Sequence, residues 1–344
     1  MIKTSHGGDV YTQDIKYDFS VNVNPLGMPE SVKSAIVGNI SVCEKYPDVN
    51  CTMLKNAIAE YENIITENIV CGNGAADLIY KIVWAVAPKK ALIIAPTFSE
   101  YEKALGSFGC DIEYFYLDEK NNFELSENVL NKLYNIDIMF ICNPNNPVGN
   151  IVNPDLMNRI INKCAENNIR TVVDECFISF VENSRKYRIN TDLKNVVILK
   201  AFTKIFAMPG LRLGYLICKD KNFCEKVENC GQCWSVSTVA QIAGIAALCE
   251  KKYLSKTVEY VKCEREFLTS NLKRLNFKVY PSEANFIFFR TDFPIDEMLL
   301  KEKIAVRSCG NYVNLDESYF RIAVRTHKEN EILISALERI LNNG

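Results

Sequence analysis

Lys200-Ala201-Phe202-Thr203-Lys204-Ile205-Phe206-Ala207-Met208-Pro209-Gly210-Leu211-Arg212-Leu213-Gly214-Tyr215 puts a lysine, an adjacent hydroxyl and an arginine eight residues on within one short segment. An amine captures an aldehyde as a Schiff base once desolvation or a neighbouring cation lowers its pKa, which gives Lys204 a chemical role. A planar guanidinium keeps its proton and grips a phosphate with two prongs, a role open to Arg212. Thr203 can add one hydroxyl hydrogen bond to the same phosphate. Taken alone, the run also reads as a basic, glycine-containing surface loop, because short motifs recur by accident.

The surrounding chain is long enough to bury a large core. Its 344 residues, 48% of them hydrophobic, point to more than one domain. A formal net charge of -2 gives no general attraction to nucleic acid or to an anionic membrane, so neither is expected as a partner. No apolar stretch resembles a signal peptide or is long enough to span a bilayer, and a cytoplasmic location is expected. The fourteen cysteines lie scattered in apolar stretches such as Ile141-Cys142 and Leu216-Ile217-Cys218, which suits buried reduced thiols better than disulfides. Cys230 and Cys233 form a Cys-x-x-Cys without a second pair at zinc spacing, and the only histidines are His6 and His327, so no metal site is expected.

Short apolar runs alternate with amphipathic stretches, the pattern of an α/β protein with a mostly parallel central sheet. Expected strands are Lys90 to Ala95, Asp137 to Cys142, Arg170 to Val173, Val196 to Leu199 and Arg212 to Cys218. Several end in polar loops, where open α/β sheets bind their ligands. Phe277 to Tyr280, Asn285 to Phe289 and Tyr319 to Val324 read as strands of a smaller α+β domain, closed by a helix with the capping box Thr326 to Glu329. The organisation expected is an N-terminal arm (1–30), a large domain (31–235) and a small C-terminal domain (236–344).

Four more loops join Lys204. Gly72-Asn73-Gly74-Ala75-Ala76 precedes a helical pattern with Leu78, Ile79, Ile82, Val83 and Val86 on one face. Free N–H groups at Ala75 and Ala76 make that helix start a phosphate site, or the segment is an ordinary glycine turn. Asn143-Pro144-Asn145-Asn146-Pro147 follows a strand and presents amides, Asn146 among them. Asp174 ends another strand, where it can hold a ring nitrogen protonated or merely cap a helix. Pro96-Thr97-Phe98-Ser99-Glu100-Tyr101 offers rings for stacking on a flat cofactor or for the core.

With these loops in this order, the chain resembles the fold-type I pyridoxal-phosphate enzymes of the aminotransferase class I/II superfamily over essentially its whole length. The resemblance implies pyridoxal 5'-phosphate as cofactor, Lys204 as the Schiff-base lysine, Asp174 as the pyridinium partner, Asn146 as the phenolate donor and Arg212 as the phosphate arginine. Gly74, Ala75, Ala76 and Thr203 complete the cofactor site. It places Phe98 as the stacking ring, with Tyr101 second, and excludes Lys200 as the Schiff-base lysine. Tyr46, in Tyr46-Pro47-Asp48, is implied to reach the cofactor phosphate of a second subunit, hence a homodimer. Phe177 stands where many relatives carry a tyrosine bonded to the phenolate oxygen, and losing that donor alters the pKa of the Schiff base.

The ends of the chain bear on the reaction. The start Ser5-His6-Gly7-Gly8, Phe177, and the pair Arg307 and Arg321 resemble the threonine-phosphate decarboxylases of cobalamin side-chain synthesis more closely than the histidinol-phosphate aminotransferases. That resemblance implies a small phosphorylated amino acid or amino alcohol as substrate, its carboxylate held by Arg321 and its phosphate by Arg307 with His6. Asn24 and Gly27 are implied to lie in a loop that closes over it. Several cations converging on one small ligand suit a substrate with two anionic groups. Arg325 reads either as a substrate contact or as a surface charge.

Overall fold

The computed structural model describes residues 7–187, 189 and 193–343. In chain order it contains β1 (Tyr17–Asp18), β2 (Ile69–Gly72), β3 (Lys90–Ala95), β4 (Asp111–Tyr116), β5 (Ile138–Cys142), β6 (Arg170–Asp174), β7 (Val196–Ala201) and β8 (Gly214–Ile217). These are followed by β9 (Lys278–Val279), β10 (Phe286–Arg290), β11 (Ile304–Ala305), β12 (Arg307–Ser308) and β13 (Tyr319–Ala323). Strands β2 to β8 form one sheet in the order β2-β8-β7-β6-β5-β3-β4, parallel except that β8 runs antiparallel to both its neighbours.

The apolar runs are nearly continuous because both faces of this sheet are buried. Along β5, Met139 and Ile141 enter one hydrophobic core while Ile138, Phe140 and Cys142 enter the other. The same division separates Val196 and Ile198 from Val197 and Leu199 on β7. Helix Ala75–Val86 covers one face with Leu78, Ile79, Ile82 and Val83, as its spacing predicts. Helix Pro154–Glu166 covers the other with Leu156, Met157, Ile160, Ile161 and Cys164.

A second, antiparallel sheet has the order β12-β13-β10-β9. The N-terminal segment is strapped to it: β1 pairs in parallel with β11, and Ala323 N–H donates to the Phe19 carbonyl at 2.8 Å. This strap carries Ser20, Val21 and Asn22 to the rim of the large sheet. Helix His327–Asn343 begins at the expected capping box, where Thr326 N–H and Oγ1 both donate to Glu329 Oε2, at 3.1 and 2.5 Å. Edge strands β2 and β4 and the two-residue strands β1, β11 and β12 are not among the expected strands. Among the described residues, no helix is long and apolar enough to cross a membrane.

Candidate active site

A cavity of about 440 Å³ opens beyond the carboxyl ends of β5, β6 and β7, where a parallel sheet leaves polar loops free of its ladder. Asp174 is the last residue of β6 and is buried. Its Oδ2 accepts from the Tyr101 hydroxyl at 2.6 Å, and its Oδ1 from Cys176 N–H at 2.9 Å. Two donors therefore hold this carboxylate toward the cavity that it lines.

Strand β7 leads directly into the one-turn helix Phe202–Ile205, which turns Thr203 and Lys204 into the cavity. Burial first, and then the guanidinium of Arg321, push the Lys204 amine down to about 8, with Arg212 acting in the same direction. Lys200, the rival lysine, is bound instead to Glu62 at 2.8 Å and Glu175 at 3.7 Å, and it does not line the cavity. Burial opposes charge on Lys200, but the two carboxylates outweigh it and raise its pKa. Only one of the two amines is thus prepared to lose its proton near neutrality. The rate at which the cofactor-free protein captures pyridoxal phosphate should rise with pH and level off about a unit above 8. A stopped-flow pH series that still climbs toward 10.5 would contradict the Lys204 environment.

The helix Ala75–Val86 presents the N–H groups of its first turn to the same space, with Ala75 and Ala76 lining the cavity. Gly74, at φ 84°, caps the helix, and a Cβ there would stand 2.6 Å from Arg212 Nη2. The missing side chain is therefore what admits the guanidinium to the helix end. Arg212 is fixed by a donation from Nη1 to the Pro209 carbonyl at 3.0 Å. Helix N–H groups, a hydroxyl at Thr203 and a guanidinium together make a cradle able to hold a phosphate. Gly74→Ala should weaken pyridoxal phosphate binding by about tenfold or more, because it displaces Arg212 and strains a positive φ. Equilibrium dialysis of the cofactor checks this.

Opposite the cradle, Arg321 projects from β13 and is buried. Nη1 donates to Asn146 Oδ1 and Nη2 to the Ser20 carbonyl, so one side chain ties the small sheet, the Asn146 loop and the N-terminal strap together. With its oxygen engaged, Asn146 has an NH2 donor left for a phenolate oxygen. Among the described residues, Arg321 Nε is a buried N–H without a partner, and the Asn22 Oδ1 that lines the same cavity is a buried acceptor without one. Arg307, on β12, stands over the Tyr312 ring at 5.3 Å and donates to Asn311 Oδ1 at 2.7 Å. Arg307 and Arg321 thus bring two guanidinium groups to the cavity that Lys204 lines.

Lys204, Thr203, Asp174, Asn146, Arg212, Ala75, Ala76, Phe98, Arg307, Arg321 and Phe177 all line this cavity, although the sequence disperses them over more than two hundred positions. Tyr101 does not line it: its ring stacks on Phe140, 4.9 Å between centroids, and only its hydroxyl reaches the site through Asp174. Asn24 lies below the cavity, its amide donating to the Ile205 carbonyl at 2.7 Å and to Thr257 Oγ1 at 2.8 Å. Gly27 turns at φ 74° and accepts from the Tyr253 hydroxyl. Arg325 is engaged by Glu329 at 2.9 Å beyond the end of β13 and does not line the cavity. Tyr46 is exposed, 80% of its surface open, with its ring against Trp234. His6 falls outside the described residues.

The sequence reading missed Ser20, Asn22, Glu100, Lys103 and Tyr312, all of which line the cavity. Asn22 lies two residues before Asn24 and Tyr312 five after Arg307, but nothing in their spacing distinguishes them from loop residues.

The family model for aminotransferase class I and II matches residues 14–337. A threonine-phosphate decarboxylase of Salmonella typhimurium is 34% identical over 99% of this chain and 98% of its own length. A histidinol-phosphate aminotransferase of Methanocaldococcus jannaschii is 28% identical over 93% of this chain and 88% of its own. The crystal structure of a histidinol-phosphate aminotransferase from Clostridium acetobutylicum superposes with a TM-score of 0.90 at 31% identity, covering 96% of this chain and all of the other. With the family model spanning residues 14–337 and a relative aligned end to end at 34% identity, the chain belongs to the aminotransferase class I and II family of pyridoxal-phosphate enzymes.

Proposed function

We propose that the protein decarboxylates O-phospho-L-threonine to aminopropanol phosphate, with pyridoxal phosphate held at Lys204. The observation that carries this reading is the pair Arg307 and Arg321 lining one cavity with Lys204, two anion-binding groups for a substrate with a carboxylate and a phosphate. Similarity to the Salmonella decarboxylase supports it. When bound, the cofactor supplies an aldehyde for the substrate amine and a cationic ring that accepts electrons from Cα.

The chain's residues do the rest. Asp174 keeps the ring nitrogen protonated, and Asn146 donates to the phenolate oxygen. Gly74, Ala75, Ala76, Thr203 and Arg212 hold the phosphate, and Phe98 stacks on the ring. Arg321 would hold the substrate carboxylate and Arg307, with His6, the substrate phosphate, which together would fix the orientation of the substrate's Cα. Lys204 Nζ is the group able to hold a proton and return it to Cα. Phe177, buried with its edge against Phe286, offers no hydroxyl to the phenolate oxygen.

The same reading assigns residues 31–235 to a cofactor domain, 236–344 to a small domain and 1–30 to an arm between them. It also makes the molecule a homodimer. Helices Glu30–Gly38 and Thr52–Glu62 pack on Thr238–Leu248 and leave Val37, Met53, Tyr46 and Trp234 exposed. A second copy covers these apolar groups, with Tyr46 reaching its cofactor phosphate.

Histidinol-phosphate transamination is the second reading, favoured by the likeness to the Clostridium structure. Histidinol phosphate has no carboxylate, so one anion-binding group fewer would suffice for it than for O-phosphothreonine. Side-by-side assays decide between the two. Carbon dioxide release from O-phosphothreonine without a keto product supports decarboxylation. Turnover of histidinol phosphate with 2-oxoglutarate, and none of O-phosphothreonine, replaces it with the second reading.

A further inference from the structure

We propose that Tyr101 is a positioning residue that acts through Asp174 to keep the proton on the ring nitrogen of the bound cofactor. The inference rests on the cofactor assignment but not on which substrate is used. Tyr101 is fully buried, and its ring is fixed on two sides: stacked on Phe140 at 4.9 Å and edge-on to Phe98 at 5.7 Å. Its hydroxyl therefore has one direction to point, and it donates to Asp174 Oδ2 at 2.6 Å. Cys176 N–H donates to the other oxygen, which leaves lone pairs on an anchored carboxylate for one more donor from the cavity side.

The electrostatics follow from this geometry. Burial, and then the neighbouring Asp174 charge, raise the Tyr101 hydroxyl well above the usual phenol range, so it stays a donor at every working pH. A donor to a carboxylate stabilises its ionised form. The proton shared between Asp174 and the ring nitrogen then stays on the nitrogen, and the ring remains cationic. A cationic ring in turn lowers the proton affinity of the nitrogen that joins the cofactor to Lys204. Tyr101 also couples the stacking ring to the carboxylate, because Phe98 and Asp174 touch the same side chain.

Tyr101→Phe removes one oxygen and keeps the buried ring, so packing on Phe140 is preserved. The experiment is a pH titration of the near-visible absorbance of the cofactor-loaded protein, run for the natural chain, for Tyr101→Phe and for 3-fluorotyrosine at 101. The fluorinated phenol is isosteric and a stronger donor. The midpoint should move up by about half a pH unit in Tyr101→Phe, a fraction of what a hydrogen bond to a charged group is worth at the carboxylate itself. It should move down with 3-fluorotyrosine. Midpoints that stay put, or that move the same way in both, overturn the inference. A purely structural role would shift the melting temperature and leave the midpoints alone. If the natural chain has no near-visible band, the cofactor assignment has failed instead.

Discussion

Lys204→Ala is expected to abolish the Schiff-base absorbance of the cofactor-loaded protein and to lower turnover by roughly ten-thousandfold or more, since on the proposed reading the variant would lose both the covalent anchor and the proton carrier. The fold should survive. Lys204 faces a cavity, and removing an amine whose charge is disfavoured by burial relieves a cost rather than creating one. The variant's melting temperature should therefore equal or exceed that of the cofactor-free natural protein. Lys200→Ala provides the contrast: it leaves Glu62 and Glu175 without their cation, so it should lower stability while keeping the absorbance. An unchanged spectrum in Lys204→Ala would remove the cofactor chemistry from this residue.

Arg321→Gln is expected to have the second largest effect, roughly thirty- to a thousandfold on kcat/KM, the range for losing a buried, hydrogen-bonded charge from a binding site. The loss has two components. On the proposed reading the variant would no longer hold the substrate carboxylate, and Asn146 Oδ1 and the Ser20 carbonyl lose their donors. Ligand affinities separate them. O-phosphothreonine should bind far more weakly to the variant, whereas aminopropanol phosphate, which lacks the carboxylate, should bind almost as before. Equal losses for both ligands would mean that Arg321 only braces the site. Lysine should rescue poorly, because it cannot span Asn146, Ser20 and a carboxylate with one planar fork. Arg325→Ala should leave KM unchanged, since Glu329 already engages that side chain away from the cavity.

The legible parts of this molecule were those in which a physical requirement repeats along the chain. Strands buried on both faces must be apolar throughout, and β3, β5, β6 and β7 stand out for that reason. Strand β4 was missed because it lies at the sheet edge and Asp111-Ile112-Glu113-Tyr114-Phe115-Tyr116 is only partly buried, and β2, at the other edge, because its four residues run straight into the glycine turn before a helix. The strap β1–β11 is too short to leave a pattern. Its consequence, the delivery of Ser20 and Asn22 to the cavity, depends on a pairing between residues nearly three hundred positions apart.

The site divides in the same way. Lys204, Asp174 and Asn146 follow directly from strand ends, so their convergence is dictated by the sheet. Arg307 and Arg321 come from the second sheet and Tyr312 from the loop between β12 and β13, and only the seating of that sheet over the first brings them to the cavity that Lys204 lines. Tyr101 and Phe98 are alike by residue type, yet they do different things. The helix period resolves them: Tyr101, Ala104 and Leu105 share the buried face of helix Glu100–Phe108, whereas Phe98 precedes the helix and remains at the cavity.

Carbon-13 nuclear magnetic resonance of the protein incubated with O-phospho-L-threonine labelled in its carboxylate is the most direct test of the proposed reaction. The proposal predicts that the label leaves as carbon dioxide and bicarbonate while unlabelled aminopropanol phosphate accumulates, with no 2-oxo acid required. Label retained in a keto acid, formed only when an amino acceptor is added, would contradict it.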